Sequence, residues 1–514
     1  MARKLHPVFD QIIIIFRIIL IKRSMITFTI CIITLVAGYF LYGRFIDHYF
    51  GMQPERSTPA ITKADGVDFI PLPAWKIFMI QFLNIAGLGP IFGAILGAMY
   101  GPVAYIWIIL GCIFMGAVHD YFSGMLSIRN NGESLPELVG RYLGGTIKNF
   151  LRVFTLLLLI FVGVAFVTGP AKLMQTMTNL DVRVWLYLIF AYYLIATLLP
   201  INKIIGRIYP VFGVSLLIMA FGIGGSIIFK SFNGSLQMTE LSISSLKNFH
   251  NYPEANILFP MLFIVISCGA ISGFHATQSP LMARCLKNEN QGKRIFYGAM
   301  IAEGIVAIIW ATAAMNYFTD VHGLNYTLSN PLISDPGITP DPAWVVNEIC
   351  NTWLGKAGAV FAVIGVVACP ITSGDTAFRS ARLIIADVFS IKQSQIKNRL
   401  FISIPLFIIG FILTFLMKDE FERIWKFVGI SNQSLATIVL WSAAMYQALN
   451  KKKHWLLSVP ATFLTIICIT YILVAPNKSA GLGIPVIPGY IIGIIAGLGL
   501  LILFLISAKR KIRA

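Results

Sequence analysis

Glu303 lies in the middle of the apolar run 294–318. Asp375 lies toward the end of the run 355–378, just after Thr372-Ser373-Gly374 and before Thr376. An ionisable side chain in hydrocarbon is costly, and its default assignment is functional. A carboxylate flanked by hydroxyls suits a proton or a hard cation. Thr372, Ser373, Asp375, Thr376 and Glu303 are therefore the candidates for ion coupling. The structural alternative for Asp375 is a salt bridge with Arg379, one helical turn on at i+4.

Two long apolar segments are interrupted by small, polar and helix-breaking residues. The first reads Ile85-Ala86-Gly87-Leu88-Gly89-Pro90-Ile91-Phe92-Gly93, the second Ser267-Cys268-Gly269-Ala270-Ile271-Ser272-Gly273-Phe274-His275. Unwound backbone survives in a bilayer only where it is buried in protein or lines a cavity. Paired breaks in corresponding positions of two halves point to a transporter's substrate site. Pro90 removes a donor and disfavours helix at Gly89. Carbonyls freed near 85–89 suit a cation, and the start of the following half-helix, at Pro90–Gly93, suits an anion. Gly87, Gly89, Pro90, Ser272, Gly273, His275 and Gln278 are the substrate-site candidates. For His275 a satisfied packing role stands beside the functional one. Gly93, Gly97 and Gly101 continue a four-residue spacing whose simplest reading is close helix packing.

Two further polar groups are expected at gates or in structural roles. His119-Asp120 falls near the end of the run 102–125. In Gly429-Ile430-Ser431-Asn432-Gln433, Ser431 would cap a helix entry, with Asn432 and Gln433 as gate or polar lining.

The elements that must position these residues are apolar runs of bilayer-spanning length. Hydrophobic residues make up 57% of the 514 and charged residues 12%, a membrane protein's balance. The runs are 25–43, 76–99, 102–125, 148–168, 184–200, 208–229, 257–278, 294–318, 355–378, 398–416, 424–447, 454–474 and 486–507. That makes an all-α polytopic protein of about 13 transmembrane helices. Residues 5–22, interrupted by Asp10 and Arg17, either span or lie in the interface.

Loop charge orients the chain. The loops 279–293, 379–399 and 448–453 and the C-terminal tail are basic, hence cytoplasmic, whereas 319–354 carries acidic residues without Lys or Arg and is external. The two broken segments then run in opposite directions, five spans apart. That is the arithmetic of a five-plus-five inverted repeat. Residues 76–230 form repeat one, 231–256 an external connection and 257–447 repeat two. Residues 1–75 hold an N-terminal anchor and span outside the core, and 448–514 two accessory spans.

The formal charge of +18 is concentrated in short loops, which fits the positive-inside bias rather than nucleic-acid binding. The seven cysteines are scattered with no CxxC or Cys/His cluster along the chain. They read as core residues, with no metal site or cofactor expected. HExxH, GxSxG and Walker-type motifs are missing, so no enzyme or ATP-driven pump is supported.

Several blocks together resemble the carbon starvation protein A family of membrane transporters, over roughly residues 40–450. They are Arg56-Ser57-Thr58-Pro59-Ala60, Ile85 to Gly93, and Gly116-Ala117-Val118-His119-Asp120-Tyr121. Arg129-Asn130-Asn131-Gly132-Glu133-Ser134-Leu135, Cys268 to Ala276, Asp375 with Arg379 and Arg382, and Phe427 to Gln433 complete the set. The resemblance implies the five-plus-five core of the amino acid–polyamine–organocation superfamily and uptake of peptides or pyruvate under carbon limitation. It also implies a cation site between carbonyls near Ala86–Gly89 and side chains among Thr372, Ser373, Asp375 and Thr376. This chain has Ile80-Gln81 where many members have two histidines, and His119-Asp120 where they have Gln-Asp. Substrate identity therefore does not carry over with the fold.

The expectation is an inner-membrane secondary transporter importing a small carboxylate or peptide by symport of a proton or sodium ion. Its C-terminus is cytoplasmic, and its partners are the solute, the coupling cation and membrane lipid. The alternative is a membrane-embedded sensor or channel-like protein on the same fold.

Overall fold

The computed structural model describes residues 25–178, 180–198, 205–330, 340–416 and 421–513. The segment 5–22 lies outside the described residues. Among those described there is no strand. Apolar sequence of this length satisfies its backbone within helices because hydrocarbon offers no alternative partner.

In chain order the helices are α1 (Ile26–Phe50), α2 (Ala74–Ala86), α3 (Gly89–Ala98) and α4 (Val103–Arg129). The short α5 (Leu135–Leu143) precedes α6 (Gly145–Met177), α7 (Val182–Leu198) and α8 (Ile205–Phe232). A second interrupted segment follows. Its first arm, α9, is a wide turn at Leu258–Leu262 running into Phe263–Val265, and its second is α10 (Gly273–Ala283). Then come α11 (Gly298–Tyr317), entered through a wide turn at Lys293–Tyr297, and the short α12 (Val321–Ser329). The chain ends in α13 (Pro342–Phe389), α14 (Ile396–Leu416), α15 (Phe421–Leu449), α16 (Trp455–Val474) and α17 (Val486–Arg513).

Among the described residues nine helices are long and apolar enough to cross a membrane, or ten when the bent pair α2–α3 is taken as one span. Both expected interruptions are present. α2 and α3 meet at 52°, and residues 266–272 separate α9 from α10. Around this centre α6 and α8 pack along α13, and α15 along α16.

Two local expectations are corrected. The helix holding His119 and Asp120 continues to Arg129, so both residues are in its interior and fully buried. α15 begins at Phe421, so Ser431 is no N-cap and Asn432 and Gln433 lie well inside that helix. In each case the polar residues resembled a helix end, but Asp120 meets His275 and Gln433 meets the Phe263 carbonyl on other elements.

The basic loops are held by charge pairs. Arg129 makes two bonds to Glu289 (3.2 and 3.1 Å) and others to the Tyr446 hydroxyl and the Gly51 carbonyl. Arg284 donates to the Gly132 carbonyl at 2.9 Å. The Arg129–Ser134 block thus ties the ends of α4, α10 and α15 together.

Candidate functional site

The two interruptions lie against each other. A side chain on Gly89 would place its Cβ 2.0 Å from the Cβ of Cys268, and one on Gly93 would sit 3.0 Å from the Val265 carbonyl. Gly269 has its Cα side toward Pro90, with a built Cβ 3.7 Å from the Pro90 Cα. At Gly89 an added carbon would collide with the Cys268 side chain and at Gly93 it would crowd the Val265 carbonyl, so glycine permits the approach at both. Gly97 faces Ile266 in the same way, so the Gly89–Gly97 stripe is the packing surface between the two broken segments. Gly87 closes α2 with φ 38°, a left-handed value, beneath the Phe166 ring.

Side chains bond to three backbone carbonyls beside the breaks. Gln433 Nε2 donates to the Phe263 carbonyl (2.9 Å) and Trp107 Nε1 to that of Ile266 (3.0 Å). The Leu83 carbonyl accepts from the Ser373 hydroxyl at 3.1 Å. This joins α2 to α13 through Leu83, one turn before the Ala86–Gly89 carbonyls. Gly273 starts α10 so close to α15 that a Cβ would meet the Ala436 nitrogen and Asn432 oxygen at 2.5 Å.

The ion-coupling candidates divide into two groups. Around Asp375, the Tyr209 hydroxyl donates to Oδ2 at 2.6 Å while Oδ1 has no partner. Thr372 and Thr376 bond back to their own helix at Cys369 and at Thr372 and Ser373. The i+4 ion pair with Arg379 does not form. That guanidinium turns to the Ala196 carbonyl (3.1 Å) and toward Asp68 (3.7 Å), where Arg382 also points (3.4 Å).

Glu303 belongs to the second group. Its Oε1 accepts from the backbone N–H of Gly269 at 3.1 Å, and its Oε2 lies 3.5 Å from His275 Nε2. His275 Nδ1 contacts Asp120 Oδ2 at 3.0 Å, and Asp120 Oδ1 contacts His119 Nδ1 at 2.8 Å. All four side chains are fully buried. Cys268 Sγ, His275 and Glu303 present donor atoms within 4.8 Å of one another, a spacing at which one small cation can be shared. Cys268 is buried like the other cysteines, and the fold gives it neighbours that its sequence flanks lack.

Of the other substrate-site candidates, Ser272 is buried with its hydroxyl unpartnered, and Gln278 donates to Thr277 at 2.9 Å with Oε1 unpartnered. Asn432 and Gln433 each keep an unpartnered carbonyl oxygen. Sequence reasoning missed Asn84. It is fully buried one turn before the first break, with neither amide atom bonded. The available signal was an amide inside the apolar run 76–99.

A helical membrane bundle with two apposed broken helices and buried ionisable groups at their junction is the architecture of solute transporters. Solved structures with this fold include a Na+-coupled sialic acid symporter (TM-score 0.52, 12% identity, 91% of this chain and 97% of that one). Another is a manganese transporter of Eremococcus coleocola (TM-score 0.51, 15% identity, 87% and 99%). The family model described as carbon starvation protein CstA matches residues 23–169, 151–329 and 329–471, and the chain belongs to that family. Among relatives, an uncharacterized membrane protein of Haemophilus influenzae is 44% identical over 59% of this chain and 94% of its own length. The peptide transporter CstA of Escherichia coli is 23% identical (84% of this chain, 78% of the relative). The pyruvate/proton symporter BtsT of the same species is 26% identical (55% and 48%).

Proposed function

We propose that this chain is a secondary active transporter that imports small nutrients, peptides or pyruvate-like carboxylates, across the inner membrane during carbon starvation. The observation that carries this reading is the apposition of the two breaks at Gly89 and Cys268. A hinge-bearing pair of discontinuous helices is what alternating access requires. The names of the relatives support the solute class.

In this reading about 13 spans cross the membrane, with residues 76–230 and 257–447 as inverted repeats and a cytoplasmic C-terminus. The solute meets Gly87, Gly89, Pro90, Ser272, Gly273, His275 and Gln278. The start of α3 faces its carboxylate. A proton, or alternatively sodium, couples through Glu303 and through Asp375 with Thr372, Ser373 and Thr376. His119, Asp120, Arg379, Asn432 and Gln433 support or gate the path.

The test is uptake of labelled pyruvate and of a labelled dipeptide into proteoliposomes, with and without an imposed proton gradient. Gradient-dependent accumulation of one of them is expected. Binding without counterflow exchange of either would turn the assignment to a sensor.

A further inference from the structure

A set of buried charges separate from the breaks lies where the segment before α2 meets α13 and α14. Arg379 and Arg382 come from α13, Arg399 from α14 and Asp68 from the segment before α2, and none is more than 3% exposed. Asp68 Oδ1 lies 3.7 Å from Arg379 Nη1 and 3.4 Å from Arg382 Nη2, so both guanidiniums converge on one carboxylate. Arg399 stands near enough for its charge to act on Asp68 and on Arg379. Two other buried charges nearby are engaged elsewhere. Arg284 bonds to the Gly132 carbonyl and covers the Phe69 ring at 5.0 Å, and Asp375 accepts from Tyr209. Asp387, which acts on Arg284, is exposed. Four buried arginines therefore face two buried carboxylates.

The donors of these arginines are only partly used. Arg379 gives Nη2 to the Ala196 carbonyl, and Arg382 gives Nη1 to Gln393 Oε1. Nε and Nη1 of Arg379, Nε of Arg382, and Nε and Nη1 of Arg399 are buried without a hydrogen-bond partner. Ser403, one turn beyond Arg399 on α14, is 2% exposed, and its hydroxyl is unpartnered too. A buried guanidinium without its counter-charge is costly, and more so beside others of the same sign. Planar N–H forks of this kind match the oxygens of a carboxylate or a phosphate. Burial of all three side chains suits a small free anion better than a lipid headgroup at the surface.

We propose that Arg379, Arg382 and Arg399, with Ser403, form a binding site for a small oxyanion, a carboxylate or inorganic phosphate. Asp68 already takes up part of the donor set and competes with it. The bound anion joins α14 to α13 and to the segment leading into the first broken helix. Two sources supply this chemistry: the carboxylate of a solute crossing the protein, and free phosphate. Binding here is independent of whether the protein transports.

The experiment uses full-length protein in detergent, washed into Tris chloride. Its thermal unfolding is followed while chloride is replaced by inorganic phosphate or by pyruvate at constant ionic strength. A saturable rise in unfolding temperature is expected with one or both oxyanions. A response to pyruvate alone identifies the solute's carboxylate as the source, and any response to phosphate identifies a free oxyanion. Only the part of the response lost in R399Q belongs to this site. R399Q is expected to weaken apparent affinity by about tenfold or more, the loss of one charge-assisted bond. R399K, which keeps the charge without the fork, and S403A should weaken it less, and D68N should tighten it. In Tris chloride R399Q should be at least as stable as the parent, because it removes a buried charge that has no partner. Each variant is first shown to elute as a single folded species in gel filtration. Absence of a saturable rise with either oxyanion would overturn the site. Equal responses in the parent, R399Q, R399K and S403A would also overturn it.

Discussion

The Cβ of Cys268 occupies the space that a methyl group on Gly89 would need, at a separation of 2.0 Å. These residues belong to different broken segments, so this contact sets how closely the two unwound regions meet.

Gly89→Ala is expected to cost about 1–3 kcal/mol of stability, the range for overpacking a filled interior, and to reduce solute exchange. Because the clash is with Cβ rather than Sγ alone, Cys268→Ala should not rescue it and Cys268→Gly should. Thermal unfolding and counterflow of the three double and single variants check this. Rescue by Cys268→Ala would mean that the sulfur atom, not the Cβ, sets the contact.

Arg129 and Glu289 form a bidentate pair whose side chains are 12% and 0% exposed. Arg129→Met leaves a buried carboxylate without its partner, a loss of about 3–5 kcal/mol. Adding Glu289→Gln should recover part of that loss. A thermal-shift comparison of the single and double variants decides it, and a double variant no more stable than the single would show that the pair is not the source of the effect.

Asp68 precedes α2, outside the membrane-spanning segments. Burial alone would raise its carboxyl, but Arg382, Arg379, Arg284 and Arg399 outweigh this and hold it below the usual 3.8. A folded value below the unfolded one contributes stability that is complete above the ordinary carboxylate range and is lost as pH falls through the folded value. Unfolding temperature in detergent should therefore fall on acidification below about pH 4, with part of the fall missing in Asp68→Asn. That variant should be less stable than the parent at pH 7. Parallel pH profiles for the two proteins would remove Asp68 from this role.

Asp375→Asn is expected to lower both gradient-driven uptake and exchange, because Asp375 sits beside the Ser373–Leu83 link between α13 and the first broken helix. Tyr209→Phe, which removes only the hydroxyl donor, should have the smaller effect. Measured rates of uptake and exchange for both variants check this. Full gradient-driven uptake by Asp375→Asn would exclude it from coupling.

The sequence alone determined the polytopic helical class and the location of both interruptions. Twenty-residue apolar runs and Gly/Pro clusters act through local chemistry, namely hydrophobic length and backbone freedom. It likewise singled out Glu303, Asp375 and His275, since a polar group in an apolar run is visible without its partner. Partners were not visible. His275 and Asp120 are 155 positions apart, and spacing along a chain carries no record of which helix faces which. Arg379 shows the same limit in reverse: helical spacing offered Asp375, yet packing presented Asp68 and a backbone carbonyl. His119-Asp120 and Ser431-Asn432-Gln433 looked like helix ends because polar residues commonly mark them. Only the tertiary structure decided that they lie inside helices, where packing against neighbouring helices buries them and brings Asp120 to His275 and Gln433 to the Phe263 carbonyl.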